Sequence, residues 1–310
     1  MKTSQALETR SIGSLQVTVV GLGCNNFGWR IDDGAAAEVV DAAIDAGINF
    51  FDTADVYGEG RSEEFLGRAL GSRRADIVVA TKFGMKMDDQ RHGARPEYVR
   101  RAADDSLRRL KTDYIDLYQL HRPDPETPIA DTLGALDDLV KAGKVREIGC
   151  SNFSAAQLRE AAEAVRQGAA RFVSVQNHYS LYHREPEGEV LAECVRQRIA
   201  FIPYFPLENG LLTGKYRPGS APPQGSRAEA GFGPKVFSEQ NLQWVDRLRQ
   251  SAERNGHTML ELAISWLAAQ PAVASVIAGA KTPDQVRTNA AAAAWKLTRS
   301  ELDEVEAIRP

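Results

Sequence analysis

The stretch Asn49-Phe50-Phe51-Asp52-Thr53-Ala54-Asp55-Val56-Tyr57-Gly58 decides the predicted fold. Its apolar part, residues 48–51, follows the helix-ending Gly47 and has the composition of a buried β-strand. The strand ends in a carboxylate, a hydroxyl and a second carboxylate, and the phenol of Tyr57 follows on a glycine-bounded loop. Buried parallel strands that deliver polar side chains at their C-terminal ends are typical of an α/β barrel. Taken alone, the stretch fits an Asp-rich turn at least as well, so the rest of the chain has to decide.

Strand and helix patterns alternate about eight times along the chain. The predicted strands are residues 17–22, 48–51, 77–81, 114–120, 145–149, 172–175, 200–203 and 273–277. The predicted helices are residues 33–46, 62–70, 96–110, 129–142, 155–167, 188–197, 258–269 and 284–293. Short connections between them favour parallel strands with right-handed crossovers. The sequence therefore predicts an α/β fold, a (β/α)8 TIM barrel that forms a single domain over residues 1–310.

Two segments depart from this alternation. Residues 207–234, after the seventh strand, are rich in glycine and proline, and a loop of this length in a compact domain is usually functional or disordered. We expect it to form a lid over the barrel mouth. Extra helices are expected near the C-terminus, and one over residues 238–255 is predicted to precede the last strand as an addition to the barrel.

Composition excludes several classes of function. The chain has 310 residues, a net charge of −4 and a pI near 5.8, so no global basic field attracts nucleic acid or an anionic membrane. Cys24, Cys150 and Cys194 lack metal-ligand spacing, which indicates reduced thiols and no bound metal. A polar N-terminus, and the absence of a run of about 20 apolar residues, predict a cytoplasmic protein without a membrane partner.

One short motif superficially suggests a different nucleotide-binding fold. Gly21-Leu22-Gly23-Cys24-Asn25-Asn26 begins like a dinucleotide fingerprint, but its third glycine is missing and no helix opens directly on it. No acidic residue ends a second strand at the expected distance of about 20 residues. A doubly wound domain is therefore disfavoured, and any nicotinamide nucleotide should bind at the barrel mouth.

Polar residues end three consecutive predicted strands. Asp52 follows the second strand, Lys82 the third and His121 the fourth, while Tyr57 lies on the loop after the second. Taken singly, Asp52 fits a turn carboxylate, Lys82 a solvated lysine and His121 a hydrogen-bonded loop histidine. Their order on consecutive strands places them together on one rim, where catalytic residues of barrels lie.

These four side chains suit the reduction of a carbonyl group. A phenol, with a pKa near ~10, can donate a proton to a developing alkoxide when a cation lies beside it. Lys82 would supply that cation, Asp52 would keep it charged, and His121 would hydrogen-bond the carbonyl oxygen. The hydride has to come from a cofactor.

The chain resembles the aldo-keto reductase superfamily in an ordered set of motifs. They are Asp52-Thr53-Ala54 with Tyr57-Gly58, Thr81-Lys82, Leu120-His121-Arg122-Pro123-Asp124, Gly149-Cys150-Ser151-Asn152-Phe153, Gln176, and Gly210-Leu211-Leu212-Thr213-Gly214-Lys215-Tyr216. The resemblance implies an NAD(P)H-dependent oxidoreductase with the catalytic tetrad Asp52, Tyr57, Lys82 and His121. It further implies cofactor contacts by Gly23, Cys24, Asn25, Asp52, Ser151, Asn152, Gln176, Tyr204, Phe205, Pro206, Leu207, Gly210, Leu212, Lys215, Gly279, Lys281, Gln285 and Asn289.

The segment 279–289 departs from the family pattern in part. The family often has proline at the position of Ala278, a basic residue at Gln285 and an acidic residue at Thr288. NADPH remains the expected cofactor in preference to NADH, because Lys281 and the helix start at Pro283 favour a phosphate. Arg287 is the weaker candidate for this contact.

Substrate and partners are less sharply indicated. Phe27, Trp29, Tyr57 and His121 are expected to contact a small carbonyl compound or sugar. We expect a monomer or weak homo-oligomer. Two alternatives stay open: an aldolase that uses Lys82 for a Schiff base, and a non-catalytic cofactor-binding sensor like the channel-associated β subunits of the superfamily.

Overall fold

The computed structural model describes residues 6–231 and 233–308, so the ends of the predicted 1–310 domain lie outside the described residues. Two short strands come first, β1 (Thr9–Ile12) and β2 (Leu15–Thr18), and pair as an antiparallel hairpin. Eight parallel strands then form one sheet: β3 (Val20–Gly23), β4 (Phe50–Asp52), β5 (Val78–Phe83), β6 (Ile115–Leu120), β7 (Val145–Ser151), β8 (Phe172–His178), β9 (Ala200–Tyr204) and β10 (Val276–Gly279). The predicted (β/α)8 barrel is thereby confirmed.

The sheet closes on itself by a short bridge. β10 pairs with β3 along its length, from Val276 opposite Val20 to Gly279 opposite Gly23. Between β9 and β10 the only paired residues in the described chain are Phe201 and Val273. Two backbone hydrogen bonds make this junction. The Phe201 amide donates to the Ala272 carbonyl (2.7 Å), and the Ala274 amide donates to the Phe201 carbonyl (2.9 Å). The last barrel strand therefore begins three residues later than predicted.

Ten helices surround the barrel within the described residues. They are α1 (Asp33–Asp45), α2 (Arg61–Leu70), α3 (Pro96–Leu110), α4 (Ile129–Lys141), α5 (Ala155–Ala164), α6 (Val190–Gln197), α7 (Glu239–Arg254), α8 (Met259–Ala268), α9 (Pro283–Ala291) and α10 (Arg299–Ala307). Capping boxes fix the starts of α5, α8 and α10. In each, the side chain of a Ser or Thr accepts a hydrogen bond from the backbone amide three positions later, and the side chain of that later residue accepts one from the Ser or Thr amide. The helix α10 is one of the extra helices expected near the C-terminus; its bounds were not predicted, although Thr298 and Glu301 carry its capping signature.

The hairpin corrects the predicted first strand. Residues 17–22 form no single strand, because Val17 and Thr18 belong to β2 and the barrel strand starts at Val20. Asn49 stabilises the chain where β2 ends and β3 begins. Its side chain accepts a hydrogen bond from the Thr18 amide and donates one to the Gln16 carbonyl. Since two apolar strands adjoin here, hydrophobic periodicity cannot separate them.

The hairpin closes the end of the barrel where the strands begin. Its apolar side chains form a cluster with side chains from inside the barrel: Ile12, Leu15 and Val17 with Phe50, Ala80, Leu117, Val173, Ile202, Ala274 and Ile277. A second, larger cluster fills the layer between the strands and the helices. The opposite end of the barrel, where the strands terminate, is left for polar side chains.

The glycine-rich segment after β9 lies at that polar end. Residues 208–213 form a tight turn, and α7 begins only at Glu239. Gly225, Ser226 and Arg227 of this segment line the cavity at the mouth, as a lid requires.

No helix within the described residues is both long enough and apolar enough to span a bilayer.

Ile12→Ala tests whether the hairpin stabilises the barrel. Ile12 is fully buried, so the truncation should lower the free energy of unfolding by about 2–5 kcal/mol in urea denaturation followed by circular dichroism. Ser14→Ala, at the exposed turn of the same hairpin, should change it by less than about 0.5 kcal/mol. Equal effects of the two substitutions would show that the hairpin is not packed into the barrel.

Candidate active site

A fully buried ion pair lies at the centre of the polar end. The Lys82 ammonium on β5 is 2.6 Å from Asp52 Oδ2 at the end of β4, and it donates a second hydrogen bond of 2.8 Å to the Thr53 carbonyl. Neither charged side chain is more than 3% exposed. Burial, the largest single effect, lowers the pKa of Lys82, but the charge and hydrogen bond of Asp52 together with the effect of Tyr57 outweigh it, and the pKa is raised. The lysine is therefore held as a cation.

The other oxygen of Asp52 is bound by two amides. Gln176 Nε2 on β8 donates to Oδ1 at 2.8 Å, and Gln119 Nε2 on β6 donates at 3.3 Å. Gln119 was not predicted as a site residue, because it lies within a strand and points into the barrel. A polar residue at an otherwise apolar strand position is the sequence feature that could have revealed it.

Tyr57 lies over the ion pair. The Lys82 ammonium is 5.1 Å from the centre of the Tyr57 ring. Burial raises the pKa of Tyr57, and the positive charge of Lys82 opposes this rise. The phenol is thus protonated at neutral pH, with a cation beside the oxygen that would carry the negative charge after proton loss.

His121 completes this group. Its ring meets that of Tyr57 edge to face, with the centres 5.8 Å apart and the planes at 82°. Burial, with the charges of Lys82 and Arg122, lowers the pKa of His121 to about 2. The imidazole is therefore neutral at physiological pH and can donate one hydrogen bond without acting as an acid. The structure brings together all four residues of the predicted tetrad.

A second polar group lies beside the tetrad at the ends of β7, β8 and β9. Asn152 adopts a left-handed backbone conformation (φ 62°), which asparagine tolerates better than most residues. Its side chain donates to the His121 carbonyl at 2.9 Å and accepts from the Tyr204 hydroxyl at 2.8 Å. Ser151 Oγ donates to the Gln176 carbonyl at 2.6 Å. Three predicted cofactor residues and the Tyr204 ring thus form one platform.

The base of the lid is held by a buried acid. Glu208 accepts hydrogen bonds from His178 at 2.8 Å and from Ser180 at 3.1 Å, although its own φ is positive (43°). Phe205 and Asn209 beside it also have positive φ. Such strain persists only where surrounding contacts impose it. The turn that carries the lid is therefore fixed in place.

A cavity of about 610 Å³ joins these groups to the segment 279–289 at the end of β10. This volume suits a small-molecule or cofactor site. The predicted residues that line the cavity are Gly23, Asn25, Asp52, Tyr57, His121, Ser151, Asn152, Gln176, Tyr204, Phe205, Pro206, Leu207, Gly210, Lys215, Gly279, Lys281, Gln285 and Asn289. Further lining residues that the sequence did not reveal include Asn26, Arg30, Arg122, Glu208, Asn209, Ser226 and Arg227.

Six predicted residues do not line the cavity, and Arg287, the weaker candidate for the phosphate contact, is one of them. Lys82 lies beneath it, while Cys24 and Leu212 are fully buried. Phe27 packs in the hydrophobic core between strands and helices, so its aromatic ring is not available to a substrate. Trp29 is exposed outside the cavity. An aromatic side chain near a barrel mouth fits core packing as well as recognition, and sequence alone cannot separate the two.

The far end of the cavity has the features of a dinucleotide site. A β-carbon in place of Gly279 would lie 3.0 Å from Asn25 Oδ1, so a larger residue there would crowd the asparagine side chain that lines the cavity. Lys215 lies against Gly210, whose positive φ of 97° suits glycine. Lys281 precedes the start of α9, where unpaired backbone amides attract anions. These residues fit a phosphate-bearing nucleotide.

The described residues contain no cluster of three or more potential metal ligands.

Behind the tetrad lies a carboxyl group without a partner. Asp55 is 1% exposed, its amide donates to the Lys82 carbonyl at 3.1 Å, and neither carboxyl oxygen has a hydrogen-bond partner among the described residues. The nearby Glu63 is already bound by Thr81 (2.5 Å) and Arg109 (2.6 Å). Burial and the charge of Glu63 raise the pKa of Asp55 to about 7, which Arg109 only partly offsets.

The stability of Asp55→Asn should therefore differ from wild type in a pH-dependent way. Below about pH 3 the carboxyl is largely protonated in both folded and unfolded chains and adds little pH dependence. As pH rises to about 7 the unfolded chain ionises first, which destabilises the wild type by roughly 4 kcal/mol relative to the variant. Urea unfolding at pH 3, 6 and 8 measures this difference.

The control carries the same charge change at an exposed site. Asp113→Asn should keep a constant difference from wild type across the three pH values. A constant difference for Asp55→Asn as well would mean that Asp55 ionises at the same pH in the folded and the unfolded chain.

Comparisons with known proteins agree with this geometry. The model of the aldo/keto reductase family matches residues 19–310. The uncharacterized oxidoreductase YqkF of Bacillus subtilis (strain 168) is 36% identical over 305 residues, which cover 96% of this chain and 94% of that protein. The NADP(+) aldo-keto reductase yakc of Schizosaccharomyces pombe is 35% identical, covering 97% of this chain and 91% of that protein.

Among solved structures, the glycerol dehydrogenase AKR11B4 from Gluconobacter oxydans superposes with a TM-score of 0.84 at 31% identity. The match covers 98% of this chain and 95% of that one. Sequence, fold and relatives thus agree over nearly the whole chain. The chain belongs to the aldo/keto reductase family, whose members are oxidoreductases that interconvert carbonyl and alcohol groups.

Proposed function

We propose that the protein reduces aldehyde or ketone groups to alcohols with NADPH, or oxidises a sugar or other alcohol in reverse, with Tyr57 as general acid and base. One observation carries the proposal: the buried Asp52–Lys82 ion pair lies directly beneath the Tyr57 phenol in a cavity that is large enough for a nucleotide.

The proton transfer follows from the charges around Tyr57. In the reduction, the phenol donates its proton to the carbonyl oxygen as negative charge develops there. The phenolate left behind is stabilised by the Lys82 ammonium, which Asp52 keeps charged. In the oxidation the same phenolate takes the proton from the alcohol, so one group serves both directions.

His121 orients the carbonyl in this scheme. Because its pKa is lowered to about 2, the ring stays neutral and does not compete with Tyr57 as a proton donor at neutral pH. A neutral imidazole N–H can still donate a hydrogen bond to the carbonyl oxygen and stabilise its developing charge. Its edge-to-face contact with Tyr57 places both donors on the same side of the cavity.

The cofactor residues follow the shape of the cavity. A bound nicotinamide nucleotide supplies the hydride that no side chain can provide. Ser151, Asn152 and Gln176 would hold its carboxamide, with Tyr204 against the ring; the amide nitrogen of Gln176 is engaged by Asp52, so its oxygen is left to accept. Lys215 and Lys281 would bind the phosphates. The name of the S. pombe relative includes NADP(+), which supports the choice of NADPH.

The aldolase alternative loses support from the state of Lys82. A Schiff base requires a neutral, accessible amine, whereas this lysine is fully buried, ion-paired and has a raised pKa. A cofactor-binding sensor without turnover would need the same cavity, and the substitution of Tyr57 distinguishes it from the reductase.

We further propose a cytoplasmic protein that is a monomer or weak homo-oligomer. All three cysteines are free and buried. Burial raises the pKa of the Cys24 and Cys150 thiols, so they stay protonated and unreactive in a reducing compartment.

Tyr57→Phe removes the proposed acid and keeps the ring. We expect kcat to fall by about 10²-fold or more with an aldehyde substrate, while NADPH binding measured by nucleotide fluorescence changes little. Tyr114→Phe, at the far end of β6, provides a remote phenol control that should keep full activity. Retained turnover in Tyr57→Phe would exclude the role given to the phenol.

Lys281→Ala tests the nucleotide preference. Loss of a charge-assisted contact with the 2′-phosphate should weaken NADPH binding about 10- to 100-fold and NADH binding far less. Lys141→Ala, on the surface of α4, makes the same charge change elsewhere and should affect neither nucleotide. Equal losses of both nucleotides in Lys281→Ala would place the 2′-phosphate elsewhere, and Arg287→Ala is then the next variant.

A further inference from the structure

Arg122 is a cation in the cavity that no acidic side chain neutralises. It directly follows His121 and lines the same cavity as Tyr57 and Tyr204. Its side chain is exposed, and it forms no ion pair or hydrogen bond with the part of the chain that the structure describes. A guanidinium without an internal partner is free to bind a ligand anion.

Two neighbours locate this guanidinium at the tetrad end of the cavity. Its positive charge adds to the effects that lower the pKa of His121, and it opposes the burial that raises the pKa of Tyr204. Asn152 joins these two residues through hydrogen bonds to the His121 carbonyl and from the Tyr204 hydroxyl. Arg122 therefore lies where a bound carbonyl compound would extend from the tetrad.

The other cations of the cavity lie on different segments. Lys215 and Arg227 belong to the lid, Arg30 follows β3, and Lys281 follows β10. Arg30 and Arg227 both line the cavity, and burial with the charge of Arg30 lowers the pKa of Arg227. These four cations suit the phosphates of a nucleotide, and Arg122 is left for the substrate.

The acids that line the cavity are engaged by other side chains. Asp52 is ion-paired with Lys82 and Asp284 with Arg287, while the buried Glu208 accepts hydrogen bonds from His178 and Ser180. The exposed ring of Phe205 adds an apolar wall at the same mouth. The substrate end of the cavity therefore combines a free cation with an apolar surface.

We propose that the substrate is a carbonyl compound that also carries a carboxylate or phosphate group, and that Arg122 binds this anion while the carbonyl lies against Tyr57 and His121. The planar guanidinium can donate two parallel hydrogen bonds to either anion. This inference rests on the proposed reductase function and adds a substrate class and a specificity residue to it.

The test compares matched aldehydes with and without the anion. Purified protein with NADPH is given 4-carboxybenzaldehyde or 4-methylbenzaldehyde, and glyceraldehyde 3-phosphate or glyceraldehyde. We expect a higher kcat/KM for the anionic member of at least one pair, carried mainly by KM, and which pair shows it distinguishes carboxylate from phosphate. High salt should reduce the preference, because Arg122 is exposed.

Variants assign the preference to Arg122. Arg122→Gln should lower the ratio of kcat/KM values, anionic over neutral, by about 10-fold or more, and Arg122→Lys should restore part of it. Comparing ratios between variants removes any difference in the intrinsic reactivity of the two aldehydes. Arg247→Gln on α7 makes the same charge change at another exposed arginine and should leave the ratio unchanged.

The outcomes separate this inference from the function on which it rests. Turnover of neutral aldehydes without a preference for either anion, or a preference that survives in Arg122→Gln, overturns the inference alone. Absence of turnover with every aldehyde overturns both the reductase function and the inference.

Discussion

The active-site end of this protein depends on one buried ion pair. Removing a lysine and an aspartate from water costs several kcal/mol per charge unless their contact is short and their remaining hydrogen-bonding capacity is used. Here the contact is 2.6 Å, and the Thr53 carbonyl accepts a second hydrogen bond from the Lys82 ammonium. The side-chain amides of Gln119 and Gln176 donate to the other carboxylate oxygen of Asp52. One carboxylate thus connects β4, β5, β6 and β8, so the charge that serves the chemistry also holds four strands in register.

The barrel interior divides into two halves with opposite requirements. The half where the strands begin is apolar, and the hairpin covers it. The half where the strands end holds charges and amides, and the residues with positive φ at its mouth, Asn152, Phe205 and Asn209, show that strain is concentrated there. Packing at one end supports a polar and strained arrangement at the other, which is a division of labour typical of barrels.

The sequence predicted the barrel and the tetrad because both depend on local patterns. Strand ends can be recognised from an apolar run followed by a polar residue, and topology then brings Asp52, Lys82 and His121 to one rim. The hairpin escaped notice because β2 and β3 form one continuous apolar run. Gln119 and Arg122 escaped because their importance comes from neighbours that are distant in the chain. Phe27 looked like a rim aromatic, yet the chain turns it into the core.

Barrel closure joins the beginning of the chain to its last strand. Arg10 on β1 donates to the Val273 carbonyl at 2.6 Å, and the hairpin packs on Ala274 and Ile277. These contacts span more than 250 residues, and contacts of such sequence separation form late and slowly. A chain still emerging from the ribosome therefore keeps an open sheet edge and an uncovered apolar interior until β10 is made. Synthesis of the last 40 residues is the point at which this protein passes from an aggregation-prone intermediate to a closed fold.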